Sequence, residues 1–192
     1  MKKTLVLIAI LSLTLWSASH ALVGFGVRAG MGSYGNGSSQ SGLLLGGHID
    51  FTALPMIGLE ASGTYWSKSK DTTATITGTN YTIKSSVNLI SLEGTAKYKI
   101  SLPGSPLTPY IGAGPGLYFA KATGEYSPVP PPPLQAKTET SDSKFGIHFA
   151  AGANLKLPTM PISFGVQGKY ALIFSDPGSH MLSIVGLMTY NF

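Results

Sequence analysis

Apolar and polar residues alternate along most of the chain after residue 21. In the segment 144–157 the odd positions carry mostly bulky apolar residues such as Phe145, whereas the even positions carry Gly, His, Ala, Asn and Lys. The first segment has the same form, with Phe25 and Val27 in the set opposite Arg28. A repeat of two residues is the period of a β-strand. The pattern predicts eight strands, at 22–33, 42–53, 56–68, 83–100, 108–121, 144–157, 161–174 and 181–192.

The connections between these strands alternate in length and chemistry. Those after the second, fourth and sixth strands are short and contain proline ("ALPM", "SLPGSPL", "PTMP"). Those after the other strands are mostly longer and polar, among them a Thr-rich stretch near 69–82 and the loop 122–142, which holds Pro130 to Pro133. Short turns at one end and long loops at the other are typical of an antiparallel up-and-down barrel.

The two sets of side chains differ in volume, and this decides which set faces inward. An eight-stranded barrel has an interior only just wide enough for side chains. The Gly-rich set fits there, whereas the Phe, Leu and Ile set does not. A lipocalin-like soluble barrel, the alternative, would place the bulky set inside. The sequence therefore predicts that residues 22–192 form an all-β, eight-stranded, antiparallel transmembrane β-barrel with its apolar set facing lipid.

The N-terminal segment 1–21 has a different pattern from the rest. Lys2 and Lys3 precede an apolar run that ends at Trp16, and small residues flank His20 just before residue 22. This order predicts a secretory signal peptide over residues 1–21. The apolar run is too short for a good membrane-spanning helix.

Composition narrows the class of protein further. Without Lys2 and Lys3 the formal net charge falls from +5 to +3, which gives no support for nucleic-acid binding. The chain has no Cys, so a disulfide framework and a thiolate metal site are both excluded. We expect no cofactor.

The strand layout and the segment "LTPYIGAGPGLYF" (107–119) resemble the small outer-membrane β-barrel family of the OmpA transmembrane domain and OmpX type. The resemblance implies a protein of the cell outer membrane of a Gram-negative bacterium, in contact with outer-membrane lipid. It also implies recognition by the barrel assembly machinery through aromatic residues of the last strand, which here are Tyr190 and Phe192.

Several ionisable residues fall in the set predicted to face inward. Lone buried charges are costly, so these side chains should pair with one another. We expect a hydrogen-bonded plug that holds the barrel rigid; a polar permeation path is the alternative. The predicted network comprises Arg28, His48, Asp50, Glu60, Glu93 and Lys169, with Lys97, Lys99, His148 and Lys156 in the same set.

Aromatic residues and glycines add two smaller predictions. The glycines of "GAGPG" (112–116) should form an inward-facing stripe that lets Tyr110 and Tyr118 pack closely. Aromatic residues near strand ends should form the interfacial girdles of a membrane protein. These are Tyr65, Trp66, Tyr98, Tyr170 and Tyr190.

For function, the sequence favours a non-catalytic membrane protein with a structural or surface-interaction role. The loop 122–142 is the expected site for an extracellular partner. The alternative is a narrow channel for small or hydrophobic solutes, similar to OmpW-like proteins. A lipid A-modifying enzyme is less favoured, because the odd spacing of His180 and Ser183 places these two residues on opposite faces of a strand.

Overall fold

The computed structural model describes residues 22–35, 40–54, 56–76, 79–127, 137–157, 160–175 and 178–192. The predicted signal peptide (1–21) and the run Pro130–Pro133 lie outside these residues. No helix within the described ranges is long and apolar enough to cross a membrane. The strands are β1 (Leu22–Gly35), β2 (Gln40–Leu54), β3 (Ile57–Ile76), β4 (Thr79–Lys99), β5 (Leu107–Ser127), β6 (Lys137–Lys156), β7 (Ile162–Ile173) and β8 (Ser179–Asn191).

The eight strands form a closed barrel in which each strand pairs antiparallel with the next. The closing seam joins β1 to β8 and runs from Gly24 opposite Asn191 to Gly35 opposite His180. Closure pairs the backbone groups of the first and last strands, so neither is left as an open sheet edge along this seam. The predicted eight-stranded antiparallel architecture is confirmed.

The bulky apolar set faces outward and the small and polar set faces inward. On β1, Val27 is 63% exposed while the neighbouring Arg28 is only 2% exposed. The inward glycines make room for large interior side chains. A Cβ on Gly116 would lie 2.8 Å from the Tyr118 hydroxyl, and a Cβ on Gly152 would lie 2.7 Å from that of Tyr110. The assignment by volume is therefore confirmed.

The strands at the long-loop end extend further than the apolar alternation predicts. The predicted Thr-rich loop near 69–82 is a β3–β4 hairpin paired as far as Ile76 opposite Thr79, and much of the predicted loop 122–142 belongs to β5 and β6. These extensions lack the apolar set that marks a strand in the sequence. Opposite charges instead face one another on adjacent strands, which stabilises a sheet. The row runs Asp71, Lys84, Glu125, Lys137 across β3 to β6.

Trp66 is not an interfacial residue, and that prediction is wrong. Its side chain is 1% exposed and its indole N–H donates to the Gly32 carbonyl at 2.7 Å inside the barrel. Its neighbour Tyr65 faces outward and is 46% exposed, because adjacent strand residues point to opposite faces. The other predicted girdle residues face outward as well, namely Tyr98, Tyr170 and Tyr190.

The ladder between β4 and β5 has one interruption. Pairing stops after Glu93 opposite Gly116 and resumes at Ala96 opposite Ala113. Pro115 lies within this gap, and proline has no backbone N–H to donate to the neighbouring strand. The register is the same on both sides of the gap, so the interruption removes pairing without shifting the strands.

Candidate functional site

A group of four charged residues lies inside the barrel toward the short-turn end. Lys97 Nζ is 2.6 Å from Glu60 and 2.9 Å from Asp50, while Arg28 Nη2 is 2.9 Å from Glu60 Oε1 in an ion pair that lacks hydrogen-bond alignment. The side chains of Arg28 and Glu60 are completely shielded from solvent. Two cations thus face two carboxylates, so the charges of this lower group balance. Such pairing is what permits charges to remain buried.

Polar and aromatic side chains complete this lower group. Arg28 Nη1 donates to Gln167 Oε1 at 3.3 Å, and Gln167 Nε2 donates to the Tyr110 hydroxyl at 3.1 Å. The Lys97 ammonium also lies 4.8 Å from the centre of the Tyr110 ring, within the range of a cation–π contact. The lower group therefore connects strands on opposite sides of the barrel.

A second ion pair forms a separate upper group. Lys169 pairs with Glu93, which also accepts hydrogen bonds from the Tyr118 hydroxyl at 3.0 Å and from Ser62 at 3.5 Å. His148 is 0% exposed, and its Nε2 lies 2.8 Å from the Thr95 hydroxyl.

Two lysines of the predicted set lie at the barrel rim. Lys99 is half-buried and donates to the Thr52 hydroxyl at 2.6 Å. Lys156 keeps the parity of the inward set, since its cross-strand partner Ser163 is buried. It is the last residue of β6, however, and its side chain is exposed at the rim, so it is not part of the buried network.

An apolar layer lines the lumen from the level of Arg28, which lies opposite Leu187, to the long-loop end. Trp66 is its largest member, and the ring of Tyr34 packs against it with ring centres 5.7 Å apart. The apolar layer and the ion-paired groups together occupy the lumen, which favours the plug over the permeation path. Its buried members are Leu44, Trp66, Leu89, Tyr118, Ala171, Ile173, Met181, Val185 and Leu187.

His48 has polar neighbours, but their arrangement does not suit nucleophilic catalysis. Its Nε2 lies 2.8 Å from the Thr189 hydroxyl and 3.6 Å from Asp50 Oδ2. A hydroxyl–imidazole–carboxylate relay uses different ring nitrogens for the two contacts. Here both contacts fall on Nε2, and the buried Nδ1 has no hydrogen-bond partner.

His48 also belongs to a group of three possible metal ligands. One ligand atom each from His48, Asp50 and Glu60 lies within 4.8 Å of the others. The Lys97 ammonium already contacts both carboxylates. The positive charge of this ammonium would repel a metal ion. The two carboxylates are therefore better explained as hydrogen-bond acceptors for Lys97.

His180 and Ser183, the pair considered for lipid A chemistry, lie on opposite faces of β8. Ser183 is 4% exposed and faces the interior. The His180 ring lies 6.2 Å from the ring of Tyr170, which is outward-facing and exposed. The prediction that these two residues do not meet is confirmed.

The structure brings most of the predicted network together, but in two separate groups. Arg28, Asp50 and Glu60 meet in the lower group, and Glu93 and Lys169 pair in the upper group. Lys97, which the alternation also places inside, contacts both carboxylates of the lower group. Gln167 was not predicted as a member of the network because it carries no charge. Tyr118 was predicted only as a packing residue beside the glycine stripe, and its hydrogen bond to Glu93 was not foreseen.

A closed barrel with an apolar exterior and a filled polar interior defines an integral membrane β-barrel protein. The sequence matches the family model for the outer membrane protein beta-barrel domain over residues 4–184, and the chain belongs to that family. It is accordingly a protein of the bacterial outer membrane. Its short turns are on the periplasmic side and its long hairpins on the extracellular side.

Solved structures of outer-membrane proteins share this fold. Neisserial surface protein A is 14% identical, with 88% of this chain and 97% of that chain covered and a TM-score of 0.64. Ail, the attachment invasion locus protein of Yersinia pestis, is 11% identical, with 90% and 99% covered and a TM-score of 0.59. OprG from Pseudomonas aeruginosa is 11% identical, with 90% and 95% covered and a TM-score of 0.50. No curated protein sequence matches the chain significantly.

Proposed function

We propose that this protein is a non-catalytic barrel that holds a four-stranded sheet above the outer membrane and presents the free edge of β6 to an extended segment of another protein. The observation that carries this proposal is the unequal length of β6 and β7. β6 begins at Lys137, but it pairs with β7 only from Gly146 onward. Within the described part of the chain, no strand pairs with residues 137–144 on their β7 side.

The backbone groups on this edge can be assigned from the ladder. The Phe174 N–H donates to the Phe145 carbonyl at 2.9 Å, so the backbone groups of Phe145 point toward β7. Directions alternate along an antiparallel strand, so every second residue above Phe145 points the same way. The free N–H and C=O groups therefore belong to Ser143, Ser141, Glu139 and Lys137.

The edge is held in place by the rest of the extracellular sheet. β5 and β6 stay paired as far as Glu125 opposite Lys137. An added strand gains affinity from backbone hydrogen bonds and specificity from side chains. The charges of Lys137 and Glu139 would favour partners with complementary charges and oppose indiscriminate pairing.

The experiment uses the protein in lipid nanodiscs and a phage-displayed library of random peptides as the probe. Ser141→Pro removes one edge N–H while sparing the β5 side, and Ser141→Ala is the matched control. Peptides selected on the wild type should bind Ser141→Pro about tenfold more weakly and Ser141→Ala equally well. Both variants should keep the heat-dependent gel mobility of a folded barrel. Equal binding to wild type and Ser141→Pro, or no peptide that prefers the wild type, would reject the proposal.

A further inference from the structure

The outward face of the barrel changes from apolar to polar at a definite level on each strand. On β4 the outward apolar residues run from Ile90 to Tyr98, and on β5 from Ile111 to Phe119. Each run covers roughly nine residues, the length that a tilted strand needs to cross the hydrocarbon core. Ile90 and Phe119 therefore mark the extracellular boundary of the apolar band on these two strands.

The first polar outward residue beyond this band is charged on one strand only. Seven strands have described residues that reach beyond the band, and Lys121 on β5 is the one Lys or Arg among their first polar positions. Cations at this level lie where lipid headgroups carry their phosphates. The seven residues are Ser33, Ser41, Ser67, Asn88, Lys121, Ser143 and His180.

A surface cavity of about 300 Å³ lies directly beside Lys121. Ile90 and Phe119 line its membrane side, while Lys121, Ser141 and Ser143 line its extracellular side. Ser141 is the cross-strand partner of Lys121, and Ser143 is that of Phe119. The cavity therefore combines an apolar floor with one ammonium and two hydroxyl groups at the level of the headgroups.

The ion pair of Lys121 leaves part of its ammonium group available. Lys121 Nζ is 3.1 Å from Glu139, which also contacts Lys137 at 2.7 Å. Hydrogen bonds from Lys137 and Lys121 hold the pKa of Glu139 below its usual value, so this carboxylate stays ionised. Two lysines then share one carboxylate, and the Lys121 ammonium keeps donors for a further anion. Asp142 also lines the cavity, but its carboxylate is neutralised by Lys144, which pairs with it at 2.9 Å.

We propose that this cavity binds a phosphorylated lipid of the outer leaflet. The lipid phosphate contacts Lys121 and the hydroxyls of Ser141 and Ser143, and the start of an acyl chain lies on Ile90 and Phe119. This site uses side chains on the outward face of the sheet, whereas the edge of β6 uses backbone groups. The two sites can therefore be tested separately.

The test is native mass spectrometry of the detergent-solubilised protein with two lipids that have identical acyl chains. Phosphatidic acid carries the phosphate, and the corresponding diacylglycerol lacks it. The wild type should prefer phosphatidic acid about fivefold. Lys121→Gln should abolish this preference, whereas Lys84→Gln, the matched change further from the membrane, should preserve it. Phe119→Ser should weaken the binding of both lipids.

Several outcomes would overturn the proposal. The first is an equal loss of the preference for phosphatidic acid in Lys121→Gln and Lys84→Gln, because this would indicate that the surface charge acts without a defined site. Another is a wild type that binds the two lipids equally. The third is inorganic phosphate that displaces the lipid at an equal concentration, because the apolar floor would then contribute nothing. None of these results depends on the peptide selection, so this proposal and the proposed function can fail independently.

Discussion

Lys97 Nζ lies 2.6 Å from Glu60 Oε2, and neither side chain is more than 1% exposed. The same carboxylate faces Arg28, so it neutralises charge on two cations. Removing one partner of a buried ion pair costs about 3–5 kcal/mol, because the remaining charge is left uncompensated.

We therefore expect Glu60→Gln to lower the free energy of unfolding by about 3–5 kcal/mol. Urea unfolding in detergent micelles can be followed through Trp66, the single Trp of residues 22–192. Asp50→Asn is the control and should cost less, because Asp50 keeps 16% of its side chain exposed. A larger loss of unfolding free energy for Asp50→Asn than for Glu60→Gln would contradict the conclusion that Glu60 is the main carboxylate of the lower group.

Inward and outward glycines should respond differently to added methyl groups. A Cβ on Gly152 would lie 2.7 Å from the Tyr110 hydroxyl, whereas a Cβ on Gly94 would have nothing within 4 Å. Overpacking costs about 1–3 kcal/mol, so Gly152→Ala should destabilise the barrel by that amount. Gly94→Ala should leave the urea midpoint nearly unchanged, and equal effects of the two changes would be inconsistent with the structure.

The gap opposite Pro115 predicts a stabilising substitution. The Pro109 carbonyl accepts a hydrogen bond from Ile100 at 2.8 Å, so residues of that parity on β5 turn their backbone groups toward β4. Pro115→Val would supply an N–H in this direction and should raise the free energy of unfolding by about 0.5–1.5 kcal/mol.

Ala113→Val is the matched control for Pro115→Val. Ala113 has the same parity on β5 and is already paired with Ala96, so its replacement by valine adds no N–H and should give no comparable gain. Both variants can be compared with the wild type by urea unfolding. A Pro115→Val variant that is no more stable than the wild type would show that the gap has another cause.

The residues predicted to signal assembly give a prediction in cells. Phe192 is 69% exposed and its ring lies 4.9 Å from that of Tyr190 and 5.7 Å from that of Phe25. Phe192→Ala should reduce the amount of protein in the outer membrane while leaving refolding in detergent intact. Phe25→Ala removes the aromatic neighbour and should leave the cellular amount higher than Phe192→Ala does. Equal amounts would argue against a specific signal at Phe192.

The filled lumen predicts the electrical behaviour of the protein. The apolar layer around Trp66 and the lower group around Lys97 lie in succession along the barrel interior. Planar bilayers that contain the refolded wild type should therefore show no steady single-channel current. Discrete current steps that persist across salt conditions would support the narrow-channel alternative.

The fold followed from the sequence because side-chain volume and alternation act together in a barrel this small. The bulky set beginning at Phe25 could not fit inside, and glycines such as Gly116 left space for Tyr118. The same alternation would have placed Trp66 inside with Thr64, since the two residues are separated by an even spacing. Its position near a strand end suggested a girdle residue instead, and this assignment was wrong.

The extracellular sheet and the ion pairs of Lys97 were harder to predict. Residues 69–82 lack an apolar set, so their alternation carries no signal, and only the register reveals that Asp71 faces Lys84. Lys97 could be placed inside by alternation. Its contacts with Asp50 and Glu60 depend on the relative positions of three strands, which the sequence alone does not specify.

The seam between β1 and β8 has a consequence for biogenesis. It joins residues near Gly24 to residues near Asn191, a very large separation in sequence, and such contacts form slowly because the intervening chain must first be ordered. Until the last strand arrives, outward apolar residues such as Val27 and Ile184 have no lipid to cover them. We therefore expect the chain to be prone to aggregation until the barrel closes, because the surface that later faces lipid is exposed to water in the meantime.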